Sequence, residues 1–540
     1  MDSTNSSSGD HTKPVMRKRC KYQVRWFYSK GAFLILLWTT LISALLGFYV
    51  TSLGQTILLG TFEKNDLPIV FIAPPFLTFL AIPFLGWLAD AKLGNYRVFK
   101  LNCFLLLIGT IFCSIHTLYF PMLNSVALRY TDAVIVVLGY AVGAASIAVC
   151  LMIALQLGLD QMPDASSTNV SSFISWFGFL IFLGFWISNW LSNALIYCIP
   201  LLLTIDDILK MQLFTLYPVI CLAIICSSMF LLAPKWLIIE PKSPKAIKTI
   251  YQVLKFAAKH KAPIYRSALT YWEEDVPSRL DLGKTKYGGP FSTEQVQDVN
   301  TFLRILVMSF PIFVILTSGG NILINFTVVD QDVIFDAMQY YLNPNITECT
   351  SSIVYNFSCN FWWSGIVTIV VYEFALYPFI RNKVPSSIRR IGGAALLYIL
   401  LNILNLAMQF YPYARASVLF MGALSGFLSV LLINGILEFV CAQSPYNMRG
   451  LLTGYMIFLV LLSVSANFLM RYFHILINKH SKYYVIPSIS TALSLVGLVL
   501  YCLLARWYKW RVRDEDYNAH RVVEEVYDRY LSHVQNNCVP

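Results

Sequence analysis

The stretch Gly86-Trp87-Leu88-Ala89-Asp90-Ala91-Lys92-Leu93-Gly94-Asn95-Tyr96-Arg97 joins two long apolar runs of the chain. Its glycines allow helices to approach closely, and Asp90 falls at the predicted edge of a membrane. An acid at that depth needs a partner, either a cation such as Arg97 or the N-terminus of a helix. We interpret Gly86, Asp90, Gly94 and Arg97 as a gate whose contact forms in one conformation only; the alternative is a static turn.

Apolar runs long enough to cross a bilayer continue on both sides of this stretch. A hydrocarbon core of about 30 Å needs about 20 apolar residues per helix. The first six predicted spans are 31–60, 68–91, 101–120, 132–157, 171–203 and 211–233. The second six are 302–325, 360–380, 391–411, 416–441, 450–475 and 485–506. The sequence therefore predicts an all-α membrane protein of twelve transmembrane helices in two six-helix halves.

Composition and charge agree with a membrane protein. The chain is 57% apolar and 13% charged, whereas soluble proteins are about 45–50% apolar and about 25% charged. The net charge of +11 comes from basic residues that flank the apolar spans, as the positive-inside rule requires. The only predicted partners from this pattern are lipids, and nucleic acid is not expected. The loop at 158–170, with Asp160 and Asp164, is the exception to the basic pattern.

The same pattern divides the chain into five segments. They are a basic N-terminal tail at 1–30, a first bundle at 31–233, a linker at 234–301, a second bundle at 302–506 and a tail at 507–540. No signal peptide is recognised, so both termini and the linker are expected in the cytosol. Ile247, Ile250, Tyr251 and Leu254 predict an amphipathic linker helix on anionic lipid. The tail also predicts an amphipathic helix, which either docks on the protein itself or binds a partner.

The segment 326–359 has four acidic residues and no Lys or Arg, so it is expected on the opposite side of the membrane. It carries glycosylation sequons at Asn345 and Asn356. Cys349 and Cys359 in the same segment are candidates for a disulfide. Such a loop fits either the plasma membrane or an endolysosomal membrane.

Several motifs in order resemble the proton-dependent oligopeptide transporter (POT) family of the major facilitator superfamily. They lie in residues 85–99, 158–161, 172–184, 280–299 and 437–452. The linker motif is similar to the peptide/histidine branch. The resemblance implies two pseudo-symmetric six-helix bundles that alternate access to a central site. It also implies a small organic substrate such as a short peptide or histidine.

The family's charged machinery is missing from this chain. Aligned on Phe48-Tyr49, its first-helix Glu-x-x-Glu-Arg motif falls on Leu41, Ala44 and Leu45. The charged positions of the fourth, seventh and tenth helices fall on Leu151, Ser318 and Ser429. Intramembrane acids are costly and persist mainly for function, so their absence makes proton coupling through these positions doubtful.

The candidate substrate cavity is therefore polar but uncharged. Its candidate residues are Phe48, Tyr49, Leu151, Ser318, Asn321 and Ser429. Glu373 and Glu438 remain as candidate proton sites, although each could instead pair with a nearby Arg381 or Arg449 or with backbone near the membrane surface.

The motifs of nucleotide-binding loops, HExxH proteases and Cys/His metal sites were not found, so no enzyme activity, cofactor or metal is predicted. The leading hypothesis is a transporter of small organic solutes. The alternatives are a non-transporting sensor or scaffold on the same fold, and a facilitator-type carrier of another solute such as an anion.

Overall fold

A computed structural model describes residues 29–49, 80–119, 126–162, 167–193, 207–238, 246–260, 278–325, 348–380, 384–408, 415–477 and 485–509. The architecture is helical, and each of the twelve predicted spans contains a helix. Within these residues, nine helices are long and apolar enough to cross a membrane. Shorter apolar stretches occupy Pro218–Leu231 and Arg449–Ser463. The prediction of an all-α multi-pass membrane protein is confirmed.

The first half contains six helices. They are α1 (Lys30–Phe48), α2 (Ala81–Leu88), α3 (Asn95–Tyr119), α4 (Val126–Asp160), α5 (Ser167–Asn193) and α6 (Asp207–Leu231). A short helix at Ala233–Trp236 and the linker helix at Ala246–Lys259 follow. The second half contains α7 (Thr293–Asn325), α8 (Glu348–Val371), α9 (Ser387–Met408), α10 (Arg415–Gln443), α11 (Arg449–Ile477) and α12 (Val485–Trp507). We call the end of the bundle at which the linker lies the linker end.

Two helices begin much earlier than their apolar runs, by nine residues or more. α7 starts at Thr293, inside the predicted linker, and α8 starts at Glu348, inside the predicted loop. Both Cys349 and Cys359 therefore lie on α8. A helix rises about 1.5 Å per residue, so these cysteines are about 15 Å apart along the axis, whereas a disulfide needs Cα atoms within about 7 Å. The predicted disulfide does not fit this helix and is corrected accordingly.

Equivalent helices of the two halves end in π-helical turns. α2 continues into a π-helical turn at Ala89–Leu93, and α8 into another at Tyr372–Leu376. Gly94 ends the first turn with φ +79°, a conformation that side chains other than glycine rarely adopt. Such turns are frequent at functional sites. They hold Asp90 and Glu373, two acids that the sequence analysis singled out.

The buried side chains form separate clusters. One cluster lies in the first half, around Trp38 and Phe99, and another lies in the second half, around Phe439 and Tyr501. A third lies between the halves, where Phe182 of α5 packs with Phe361 of α8. The halves are thus two packed bodies with an aromatic seam between them.

Polar contacts fasten the helices of the first half to one another. The Trp38 indole donates to Ser228 Oγ at 2.7 Å, which joins α1 to α6. Asn95 Nδ2 donates to Asp160 Oδ2 at 2.8 Å, which joins the start of α3 to the end of α4. Asp160, an acid of the loop at 158–170, therefore accepts a hydrogen bond from a neutral amide.

The linker folds against the start of α7. Val253 of the linker helix packs with Val296 and Val299 of α7. Between them, Asp281 accepts a hydrogen bond from Ser278 Oγ at 2.6 Å and pairs with Lys284 at 2.6 Å. Burial acts to raise the pKa of Asp281, but the bonds from Lys284 and Ser278 outweigh it and the pKa is lowered.

Candidate functional site

Asp90 joins the two halves at the linker end. Its side chain is buried, and Asp90 Oδ2 accepts a hydrogen bond of 2.9 Å from the backbone N–H of Leu451. Leu451 lies in the first turn of α11, where backbone N–H groups have no partner within the helix. Asp90 therefore caps a helix that follows it by 361 residues. Of the two partners that the sequence allowed, the structure shows the helix N-terminus, while Arg97 is exposed.

Glycines make this contact close. A Cβ placed on Gly86 would lie 2.4 Å from the carbonyl oxygen of Gly450, and a Cβ on Gly450 would lie 2.7 Å from Asp90 Oδ1. Both distances are too short for a side chain. Gly454, one turn further along α11, approaches the backbone of Ile82 in the same way. The α2–α11 contact thus uses the small-residue packing that membrane helices favour.

A second hydrogen bond crosses between the halves one helix away. Gln156 Nε2 of α4 donates to Thr453 Oγ1 of α11 at 2.9 Å, and both side chains are buried. Leu437 and Cys441 of α10 are also buried within the core of the first half. At the linker end, therefore, α10 and α11 pack directly on the first half.

A third crossing contact involves Glu373. This buried carboxylate accepts a hydrogen bond of 3.2 Å from Ser172 Oγ of α5. Beyond it, the α5–α8 seam is aromatic: Trp176 meets Phe374 edge-on at 5.7 Å. Ring pairs at Phe182–Phe361, Phe185–Trp362 and Trp186–Trp363 continue the seam away from the linker end.

Phe182 fits closely against α8. Its ring fills a notch at Gly365, where a Cβ would lie 2.2 Å from the ring. Phe182 therefore has a packing partner on α8.

Glu438 lies in an ion pair within the second half. Glu438 Oε2 is 2.5 Å from Arg390 Nη2, and about a fifth of each side chain is exposed. The sequence had suggested Arg381 or Arg449 as the pairing cation; Arg381 lies outside the described residues, and the pair that the structure shows is made by Arg390 of α9. The role of Glu373 or Glu438 as a proton site stays a prediction.

The first-half cavity candidates are packed within their own half. Phe48, Tyr49 and Leu151 belong to its core. The Tyr49 hydroxyl and Thr110 Oγ1 form a hydrogen bond of 2.7 Å, and the Tyr49 ring fills the space that a Cβ on Gly143 would need. Tyr49 thus connects α1 to α3 and α4.

The second-half candidates are also hydrogen-bonded internally. Ser318 Oγ donates to the carbonyl of Ile315 at 2.7 Å, and Ser429 Oγ bonds to the Tyr398 hydroxyl at 2.8 Å. Asn321 lies on α7, but its side chain is outside the described residues. The structure does not bring these candidates into one cavity, so their role stays a prediction.

Other predicted sites cannot be placed in three dimensions. Asn345 and the tail helix lie outside the described residues, and Asn356 lies on α8 without a described side chain. Their glycosylation and partner binding stay predictions.

Sequence reasoning missed Gln156, Ser172, Thr453 and Arg390. Gln156 is a buried amide in an otherwise apolar stretch of α4, at 147–159, which was a signal that could have been used. Ser172 and Thr453 carry no such signal, because a hydroxyl can bond to its own helix.

The whole fold is similar to solved transporter structures. The POT family transporter PepTSo matches with a TM-score of 0.57 and 16% identity over 90% of this chain and 99% of that one. An auto-inhibited POT family peptide transporter matches with a TM-score of 0.57 and 16% identity over 89% and 97%. A bacterial homologue of the iron transporter ferroportin, in an outward-facing state, matches with 0.55 and 15% over 88% and 99%.

No protein-family model and no curated protein sequence matches the chain. At these identities the likeness defines the fold rather than a substrate. It agrees with the fold that the ordered motifs implied, and a major facilitator symporter of xylose is similar as well, at a TM-score of 0.50 and 13% identity. The chain is a multi-pass membrane protein with the major facilitator fold, as it occurs in POT family transporters.

Proposed function

We propose that this protein is a transmembrane transporter that works by alternating access, with a gate at the linker end. The observation that carries the proposal is the buried Asp90 carboxylate, which caps α11 from the opposite half. A carrier needs contacts between its halves that hold one side closed and can be released. A side chain of one half that caps a helix of the other half meets both requirements.

The strength of the crossing contacts suits a reversible gate. Three of the hydrogen bonds in the described part of the chain link the halves, through Asp90, Gln156 and Glu373. A protein hydrogen bond has a net worth of about 0.5–1.5 kcal/mol. Three together contribute about 1.5–4.5 kcal/mol, which is the range in which two conformations of a protein remain exchangeable. The gate is closed in this structure.

The substrate that we propose is a small polar organic solute, such as a short peptide or histidine. The likeness to POT family peptide transporters supports this class, as do the ordered motifs. The positions of the family's charged groups hold Leu41, Leu45, Leu151 and Ser318, so the solute meets no acid or base there. We infer transport with little or no proton coupling.

The termini and the linker are proposed to face the cytosol, because basic residues flank the spans on that side. The linker end is then the cytosolic end, and the closed gate makes this an inward-closed conformation. The membrane is either the plasma membrane or an endolysosomal one, with the second half's acidic loop on the far side.

The test is uptake by the purified protein in proteoliposomes. Labelled dipeptides, tripeptides and histidine should enter with saturable kinetics and with little dependence on an imposed pH gradient. A Gln156→Cys/Thr453→Cys variant treated with a short bifunctional thiol cross-linker should lose uptake, because the link holds the gate shut. The matched control is Ser309→Cys/Tyr455→Cys, which links neighbouring side chains within one half and should keep uptake.

Two outcomes would change the proposal. Absence of saturable flux across this panel, with no effect of cross-linking on any cellular activity of the protein, would remove transport as the function. Strong acid-driven accumulation that is lost on Glu373→Gln would keep transport but replace the uncoupled mechanism by one in which Glu373 carries the proton.

A further inference from the structure

The linker helix has two faces of different character. Val253 is fully buried and Ala257 nearly so, and Val253 packs against the start of α7. On the opposite side, Tyr251 is 62% exposed and Leu254 is 38% exposed. An amphipathic helix in water normally buries its apolar stripe, so the second apolar stripe, Tyr251 and Leu254, has no explanation in the packing of the described residues.

Lysines border this exposed apolar stripe. At 100° per residue, Lys248, Lys255 and Lys259 fall beside Tyr251 and Leu254 on the same half of the helix surface, and all three are exposed. The ammonium of Lys255 lies 5.6 Å from the centre of the Tyr251 ring. The helix contains no Asp or Glu. An apolar strip beside a row of lysines is the pattern of helices that lie on anionic membrane surfaces.

The position of the helix matches such a surface. It packs on the first turns of α7, outside the apolar part of that helix, and it lies beside the turn at 89–93 that ends α2. Both neighbours are at the boundary where transmembrane helices leave the bilayer. Exposed Lys92 in the same turn adds to the positive charge there.

We propose that the exposed face of the linker helix, formed by Lys248, Tyr251, Leu254, Lys255 and Lys259, binds the anionic headgroup surface of the surrounding bilayer. Tyr251 and Leu254 enter the headgroup region, and the lysines contact lipid phosphates and carboxylates. Because the opposite face holds α7 and the helix adjoins the Asp90 turn, lipid contact anchors the linker across both halves. This inference does not depend on transport.

Each lysine at an anionic surface contributes about a fivefold factor in affinity. Replacement of all three by glutamine should therefore weaken the lipid contact on the order of a hundredfold. The loss should be specific to this face, since it depends on lysines placed together with the apolar strip.

The experiment uses the full-length protein in nanodiscs of phosphatidylcholine alone or mixed with phosphatidylserine. Hydrogen–deuterium exchange is followed for the peptides that cover 246–260. We expect slower exchange with phosphatidylserine, restored to the phosphatidylcholine rate by high salt. Lys248→Gln/Lys255→Gln/Lys259→Gln should lose the slowing.

The matched control is Lys235→Gln/Arg279→Gln/Arg389→Gln, which removes three exposed charges elsewhere and should retain the slowing. The proposal would be overturned if the wild type exchanged at the same rate in both lipids. It would also be overturned if the lysine variant and the control variant lost the slowing to the same extent. Slowing caused by added RNA in phosphatidylcholine discs, and not by phosphatidylserine, would assign the face to nucleic acid instead. If the triple variant does not fold, the lipid and salt dependence of the wild type decides.

Discussion

Replacement of Asp90 should open the gate by an amount that the structure allows us to work out. In Asp90→Ala, α11 loses a side-chain cap on the Leu451 N–H, and such a loss costs about 1 kcal/mol. It also loses a negative charge at a helix N-terminus, worth about 0.3–1 kcal/mol and up to about 2 kcal/mol when partly buried. The sum, about 1.3–3 kcal/mol, shifts the closed-to-open ratio about 8- to 140-fold, since 1.4 kcal/mol corresponds to a factor of ten.

Asp90→Asn separates these two contributions. Asparagine caps a helix about as well as aspartate, so it keeps an oxygen for the Leu451 N–H and loses only the charge. A loss of about 0.5–1 kcal/mol shifts the ratio only about two- to fivefold. The two variants should therefore open the gate to clearly different extents, with Asp90→Ala the larger.

The assay is the distance distribution between spin labels at Lys100→Cys and Arg389→Cys, in a background without other accessible cysteines. Both positions are exposed, and they lie near the linker end on opposite halves. The open conformation should add a longer distance, and its fraction gives the equilibrium directly. An unchanged distribution in Asp90→Ala would refute the gate. Equal opening by both variants would show that charge, rather than the cap, holds it closed.

Further predictions concern the contacts that stabilise each body. Ser228→Ala should lower the free energy of unfolding of the purified protein by about 1–3 kcal/mol, because it leaves the buried indole N–H of Trp38 without its acceptor; an unchanged stability would show that this bond does not hold α1 to α6. Glu438→Gln and Arg390→Gln should each lower the free energy of unfolding by more than half of the loss in the double variant, because either change alone leaves an uncompensated charge in the membrane. If the two single losses instead sum to the loss in the double variant, the two side chains do not interact. Because the pKa of Asp281 is lower in the folded protein, its ionised form stabilises the linker turn. This contribution is fully present above the unfolded pKa of about 3.9. It is lost as the pH falls through the lower pKa of the folded protein. Amide exchange at 278–291, expressed relative to the intrinsic exchange rate at each pH, should therefore rise on acidification through that range, and Asp281→Asn should remove most of the rise.

The number and order of the transmembrane helices could be predicted from the sequence, because burial in lipid imposes a minimum apolar length on each span independently of its neighbours. All twelve spans contain a helix. Two starting points were wrong for a physical reason: α7 and α8 begin in polar sequence at Thr293 and Glu348, and hydropathy detects the lipid-covered part of a helix rather than its end.

The importance of Asp90 was also accessible from sequence, since an acid at a membrane edge needs a partner. The identity of that partner was not. Leu451 supplies a backbone N–H, and every residue except proline has one, so no pattern could single it out. In the same way, the local sequence offered Arg381 and Arg449 to Glu438, while the described ion pair uses Arg390 of another helix.

The sequence by itself thus determined the helices, the division into halves, the acid at the gate and the loss of the family's charges. These follow from transfer of side chains into lipid, which depends on each segment alone. Only the tertiary structure decided that Asp90 caps α11, that Gly86 and Gly450 bring those helices together and that Glu373 meets Ser172. Such pairings join residues at least 201 positions apart, and their geometry is set by how the two bundles pack rather than by any local periodicity.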